Sequence, residues 1–131
     1  MSFGFSLSDV ISLSALAWNC YKSCRDSSEQ FQRISGEVGN LKAVLDETIE
    51  AVQDNQPLSR TREERLMRVM EECQQVLIDL EKLLNSYESM NTQTQRTWDR
   101  FRFGMEDVAG VRSRLISHTT TLGALSQGIL R

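Results

Sequence analysis

The sequence predicts an all-α protein: an antiparallel four-helix bundle with an extra short helix between the third and fourth long helices. Three observations lead there. Apolar residues recur at alternating steps of three and four through four long segments, the spacing that lays side chains along one stripe of a helix. Capping-box patterns open two of those segments. One proline and seven glycines in 131 residues leave few turn signals for strands and hairpins. The stripes outlast two turns in every segment, as coiled-coil-like packing requires. The length fits one domain, residues 1–131, able to bury roughly two-thirds of its unfolded surface unaided.

The first helix opens at Ser6, with Asp9 three residues on, so hydroxyl and carboxylate can satisfy each other's free backbone N–H groups. Its core stripe is Val10, Leu13, Ala17, Cys20 and Cys24. A second apolar set, Leu7, Ile11 and Trp18, lies on the adjacent face. The second helix begins near Asp26 or Ser27 and carries Phe31, Ile34, Val38, Leu41, Leu45, Thr48 and Val52. Gly36 and Gly39 interrupt it at ~1 kcal/mol each against alanine, which predicts a close helix contact or a bend. Residues 54–57, Asp-Asn-Gln-Pro, form a loop.

The third helix starts at Thr61, with Glu64 completing a second capping box. Leu66, Val69, Cys73, Val76, Leu80, Leu83 and Tyr87 form the clearest heptad in the chain, and Arg65, Arg68, Glu71, Glu72, Asp79, Glu81 and Lys82 form its solvated exterior. The polar run from Asn85 to Gln95 reads as a mobile connection. Residues 97–103, Thr-Trp-Asp-Arg-Phe-Arg-Phe, make the short helix, ended by Gly104. The last helix runs from about Met105 to Ile129, with Glu106 and Asp107 at the positive end of its dipole. Its stripe is Val108, Val111, Leu115, His118, Leu122, Leu125 and Ile129.

Composition narrows the function. The net charge of −3 and the intermixing of acidic and basic residues give no nucleic-acid footprint. The three cysteines, an odd number without regular spacing, do not make a disulfide framework and suit a reducing compartment. The N-terminus lacks the positive flank and small-residue cleavage site of a signal peptide.

No catalytic constellation emerges, so the chain is not expected to be an enzyme or to need a cofactor. The adjacent carboxylates Glu63–Glu64, Glu71–Glu72 and Glu106–Asp107 point about 100° apart on a helix and do not converge on one reacting atom. Phosphate loops, HExxH and Ser-His-Asp patterns are missing from the sequence. His118 is the single histidine and falls on an apolar stripe, where a hydrogen-bonded residue at the core's edge explains it better than a zinc ligand. Cys20 and Cys24, one turn apart, read as packing residues, because a redox or metal role needs lowered pKa values or further ligands.

Two features point to surfaces instead. Arg96, Arg100 and Arg102 interleave with Trp98, Phe101 and Phe103. Such a basic aromatic patch can meet nucleic-acid bases or anionic headgroups, although plugging the bundle end with the aromatics accounts for it more simply. The first helix is the sharper candidate. Residues 2–21 contain no Lys or Arg, and a helix of ~20 residues approaches the thickness of a bilayer core. Its serines and Asp9 make it too polar for a permanent span. Val10, Leu13 and Ala17 suffice for a bundle contact, which leaves Phe3, Phe5, Leu7, Ile11 and Trp18 for a membrane or a partner.

Several stretches resemble a known family. The opening Met-Ser-Phe-Gly-Phe-Ser-Leu-Ser-Asp is similar to the start of the fungal N-terminal domain of STAND proteins, the NLR-like receptors of filamentous fungi. Residues 31–41, Phe-Gln-Arg-Ile-Ser-Gly-Glu-Val-Gly-Asn-Leu, resemble its second-helix motif. So do Trp98-Asp-Arg-Phe-Arg-Phe, Glu106-Asp-Val and Arg112-Ser-Arg-Leu-Ile-Ser-His in the last third. The resemblance spans nearly the whole chain. It implies an N-terminal signalling domain, normally followed by a nucleotide-binding module and repeats. Related or analogous bundles, HeLo-like in fungi and the coiled-coil domains of plant immune receptors, are linked to regulated cell death, and several expose their first helix to membranes.

The resemblance thus implies a cytoplasmic effector domain of regulated cell death or heterokaryon incompatibility, recruited to the plasma membrane. It would act through self-association, protein partners and engagement of an anionic membrane by its first helix. The competing reading is a protein-interaction adaptor without a membrane step, and a nucleic-acid module using the arginine-aromatic patch ranks third.

Overall fold

The computed structural model describes residues 6–89 and 108–130, and among them all regular structure is α-helical. The helices are α1 (Leu7–Arg25), α2 (Glu29–Asp54), α3 (Arg60–Ser89) and α4 (Val108–Leu130). The short helix expected over residues 97–103, with its arginines and aromatics, lies outside the described residues, as do Met105, Glu106 and Asp107.

Local chemistry sets the ends of α1 and α2 and the start of α3. Ser6 caps α1: its Oγ accepts the Ser8 N–H at 3.2 Å, while Lys22 and Arg25 stand at the negative end of the dipole. Helix α2 begins later than the sequence suggested, after Ser28, whose hydroxyl makes no capping bond. It closes at Asn55, whose Nδ2 donates to the Ala51 carbonyl at 2.7 Å. The cap of α3 is Ser59, not Thr61: the Ser59 Oγ accepts the Arg62 N–H at 3.2 Å. Glu64 is drawn instead to Arg60, one turn back, at 3.1 Å. The polar residues 85–89, expected in a connection, continue α3, because the stripe Leu80, Leu83, Leu84 and Tyr87 still has core to pack on.

Cross-helix contacts fix the arrangement. Helix α1 packs on α2 and α3, and α4 packs on the same two, so α1 and α4 stand at opposite corners of a four-cornered bundle. Ser14 meets Asp46 and Tyr21 meets Gly39, so α1 and α2 run in opposite directions. Asp79 meets Arg114 and Glu72 meets His118, so α3 and α4 do likewise. Glu37 meets Arg112 and Thr48 meets Ser126, which makes α2 and α4 parallel. The bundle is therefore two antiparallel pairs laid side by side. The link between α2 and α3 has to cross from one corner to the opposite one, and Leu58 is buried along the way.

The core follows the stripes. Every stripe residue anticipated on α1 and α2 is buried, with Ser14 and Ala51 in addition. Helix α3, which faces α1 on one side and α4 on the other, buries a second row, Met70, Leu77 and Leu84, beside the anticipated heptad. On α4, Val111, Leu115, Leu122 and Ile129 are buried, while Val108, His118 and Leu125 lie at the edge. Ser126 is buried where the alternation allowed a second inward position, and its hydroxyl pairs with Thr48. Thr48 also donates to the Val44 carbonyl at 2.8 Å, so both hydroxyls are satisfied. Gly39 lies against the Tyr21 ring, as a close contact predicts, whereas Gly36 faces open space.

Candidate interaction surface

The outer face of α1 carries two of the three exposed large hydrophobic side chains among the described residues, the third being Ile116 on α4. Ile11 is 49% exposed and Trp18 44%, two turns apart on one face with exposed Ala15 between them. They are exposed because Val10, Leu13, Ala17, Cys20 and Cys24 already fill the inward stripe of α1. Ile49, Lys42 and Asp46 of α2 complete a shallow, open groove of about 410 Å³ beside them, with Ser14 in its floor.

At the C-terminal end of this face the chemistry changes. The Trp18 and Tyr21 rings stack with centroids 5.5 Å apart at 19°. The Lys22 Nζ stands 5.6 Å and the Lys42 Nζ 5.9 Å from the Trp18 ring centre. The Arg25 guanidinium stands 5.5 Å from the centre of the Tyr21 ring. Each contact is a cation–π geometry. Beneath them, the Ser14 hydroxyl donates to Asp46 Oδ1 at 2.6 Å and Lys42 pairs with Oδ2. Partial burial pushes the Asp46 carboxyl up, but hydrogen bonds from Lys42 and Ser14 and the Lys42 charge outweigh it, so its pKa is lowered.

A second cleft lies between α1 and α3. Leu13, Leu16, Met67 and Met70 form its apolar part, with Asp9, Ser12, Glu71 and Gln74 around them, enclosing about 260 Å³. Two leucines and two methionines give it an adaptable lining suited to an apolar side chain.

The residues singled out from the sequence fall as follows. Ile11 and Trp18 are exposed on the α1 face. Leu7 is half-buried and packs against the core, so it is not spare surface. Phe3, Phe5, Arg96, Arg100 and Arg102 lie outside the described residues. His118 is at the core's edge with its Nδ1 3.5 Å from Glu72. Sequence reasoning missed Tyr21, Lys22, Lys42 and Ile49. Lys22 and Arg25 each follow an aromatic by four residues, a helical neighbour spacing that was readable. Lys42 and Ile49 needed the register of α2 against α1.

The thiols belong to the core. Cys20, Cys24 and Cys73 are buried, and burial pushes each thiol up to about 12, with smaller upward contributions from Glu81, Cys20 and Glu72 respectively. A thiol held protonated is a poor nucleophile and a poor metal ligand. Among the described residues no three His, Cys, Asp or Glu side chains converge on a metal position. No described helix is long and apolar enough to cross a membrane.

Among the described residues, the open chemistry of this four-helix bundle lies on helix faces. The chain belongs to the family of the pigment biosynthesis cluster protein PigL N-terminal domain, a fungal domain whose family model matches residues 5–130. No curated protein and no solved structure matches it.

Proposed function

We propose that this chain is the N-terminal signalling domain of a fungal NLR-like STAND receptor. It acts in regulated cell death or heterokaryon incompatibility by oligomerising and engaging membrane through its first helix. The observation that carries this reading is the outer face of α1, where Ile11 and Trp18 stand exposed on the first helix of the chain with no charged residue between Asp9 and Lys22. Two large apolar side chains exposed on one face of a helix, with no charge between them, support reading that face as a contact surface. In this reading the domain is cytoplasmic, is recruited to the plasma membrane when clustered, catalyses nothing and needs no cofactor. The family description names the N-terminal part of a protein, which supports an N-terminal position for this domain.

The adaptor reading draws on the cleft between α1 and α3, whose Leu13, Leu16, Met67 and Met70 fit a partner's apolar anchor. One experiment separates the two. The domain is fused to an inducible clustering module, mixed with vesicles and expressed in a filamentous fungus, as wild type and as Ile11→Glu. The membrane reading expects clustered wild type to bind vesicles and kill cells, and the variant to keep its helical melt while losing both. Cell death without vesicle binding, abolished instead by Met67→Glu with an unchanged helical melt, overturns the membrane reading in favour of the adaptor.

A further inference from the structure

We infer that the Trp18 platform is a docking site for the phosphate headgroups of an anionic membrane, used by the bundle while it is still folded. This rests on the membrane reading above and adds a headgroup site, an orientation and a set of residues. The α1 face is divided along its length. Ile11 and Ala15, with Ile49 of α2, form the apolar half. Trp18 and Tyr21, with Lys22, Arg25 and Lys42 beside their rings, form the cationic half. A half-exposed indole with ammonium groups within 6 Å of its ring centre is amphipathic in the way the headgroup layer is: apolar body, polar edge, adjacent positive charge. Lysine stems can lie along the ring while the ammonium groups reach phosphate.

Lys22, Arg25 and Lys42 against Asp26 and Asp46 leave the platform a local excess of one positive charge. Asp46 is taken up by Ser14 and Lys42, and Asp26 stands 3.6 Å from Arg25. Lys22 has no carboxylate within ion-pair distance among the described residues. The whole chain carries −3, so an anionic bilayer repels most of it, and attraction has to act through this patch and within a Debye length. That fixes the orientation: α1 against the headgroups, the charged exterior of α3 turned away from them. The face is open and shallow, with Ile11 and Trp18 protruding, and this shape suits a planar lipid surface better than an enclosed peptide slot.

The test uses the whole 131-residue chain and sedimentation with phosphatidylcholine vesicles, with and without phosphatidylserine. Binding should require phosphatidylserine and weaken with salt. Lys22→Gln with Arg25→Gln should lower partitioning about fivefold per cation removed, with an unchanged thermal melt. The exchanged pair Lys22→Arg with Arg25→Lys should restore it. In a Trp98→Phe background the remaining indole, Trp18, should shift its emission to the blue on binding anionic vesicles. Full binding by the Lys22/Arg25 double glutamine variant, with loss on Ile11→Glu, leaves the membrane reading standing and overturns the headgroup site. If the clustered wild type binds neither vesicle, the membrane reading itself falls. Inorganic phosphate that abolishes binding at equal ionic strength, with no emission shift, overturns lipid docking in favour of a free-anion site.

Discussion

Helices α1 and α3 are neighbours in the bundle and run the same way, yet they meet water with opposite chemistry. Both send a three-four stripe into the core. Outward, α3 shows Arg62, Arg65, Arg68, Glu71, Glu72, Glu81 and Lys82, while α1 shows Ile11, Ser12, Ala15, Trp18 and Asn19. Helix α3 also buries a second row, Met70, Leu77 and Leu84. The difference separates two tasks that periodicity alone merges. A helix that buries two rows beneath a charged exterior supports the fold. A helix with one inward stripe and apolar residues left outside presents a surface.

The comparison breaks most visibly with a charge on each helix. Leu80 is fully buried on α3, so Leu80→Asp loses apolar burial and leaves a carboxylate without a partner, on the order of 4 kcal/mol or more. That is a large share of a small domain's stability, and the variant should be unfolded or molten by circular dichroism. Trp18→Asp on α1 should cost less, about 1–3 kcal/mol, since nearly half of the indole is already in water and only its covered part, packed against Tyr21 and beside Lys22 and Lys42, loses burial. Equal destabilisation by the two changes would mean that the α1 face is core after all.

A smaller effect sits where α2 meets α4. The Thr48 and Ser126 hydroxyls satisfy each other inside the bundle, between helices that run in parallel. Ser126→Ala leaves Thr48 with its own bond to the Val44 carbonyl, so the cost should be about 1 kcal/mol. Thr48→Val strands the Ser126 hydroxyl in an apolar setting and should cost more, about 1–3 kcal/mol. Chemical denaturation reads both, and the reverse order would mean that Ser126 has another acceptor.

Acid sharpens the comparison between the two antiparallel pairs. Asp46 ties α2 to α1, and Asp79 ties α3 to α4 through Arg114 at 2.8 Å. At Asp79, partial burial again works upward, but hydrogen bonds from Arg114 and Gln75 and the charges of Arg114 and Lys82 prevail and lower its pKa. Both carboxyls titrate lower in the folded chain than the ~3.9 of an unfolded aspartate. Their contribution is therefore complete above pH ~4 and is lost as pH falls below that value through the folded pKa. Both sites are partly open to solvent, so the effect on melting temperature should be modest. Asp79→Asn should flatten the acid limb of the stability profile, and an unchanged limb would show that Asp79 gains nothing from Arg114.

Much of the fold was legible because burial follows spacing. The stripes of α1 and α2 matched at every position, since each sends its main apolar row inward. What spacing could not give was the order of the corners. The sequence is equally consistent with a ring in which α2 adjoins α3, and only contacts such as Thr48 to Ser126 and Asp79 to Arg114 distinguish the two. Met70 and Leu77 were hidden as well, since the anticipated heptad accounts for one inward row and the packing adds a second. The surface was half legible. Ile11 and Trp18 stood out as apolar residues off the core stripe, but Lys42 and Ile49 reach the groove from another helix. Leu7 shows the limit: its spacing matches Ile11, yet it packs on the core.

The smallest effect concerns how firmly α1's outer face is held, and it turns on two glycines of α2. Both interrupt a helix, and replacing a helical glycine with alanine gains roughly 0.5–1 kcal/mol where the new methyl meets nothing. Gly36 meets that condition, with no atom within 4 Å of an added Cβ. Gly39 does not: its Cβ would stand 3.4 Å from Cδ1 and Cε1 of Tyr21. That ring is stacked on Trp18 and lies beside the Arg25 guanidinium, so it has neighbours that resist displacement. Gly36→Ala should therefore raise the melting temperature more than Gly39→Ala. Gly39→Val, which adds two more methyl groups against the ring and a β-branch in a helix, should lower it. If the two alanine variants are equally stabilising, the Tyr21 ring yields freely and the aromatic platform is a loose surface. If Gly39→Ala gains less, α1 is gripped by α2 at the point where its surface chemistry is richest, and its aromatic face is a built feature of the bundle rather than apolar residue left over from packing.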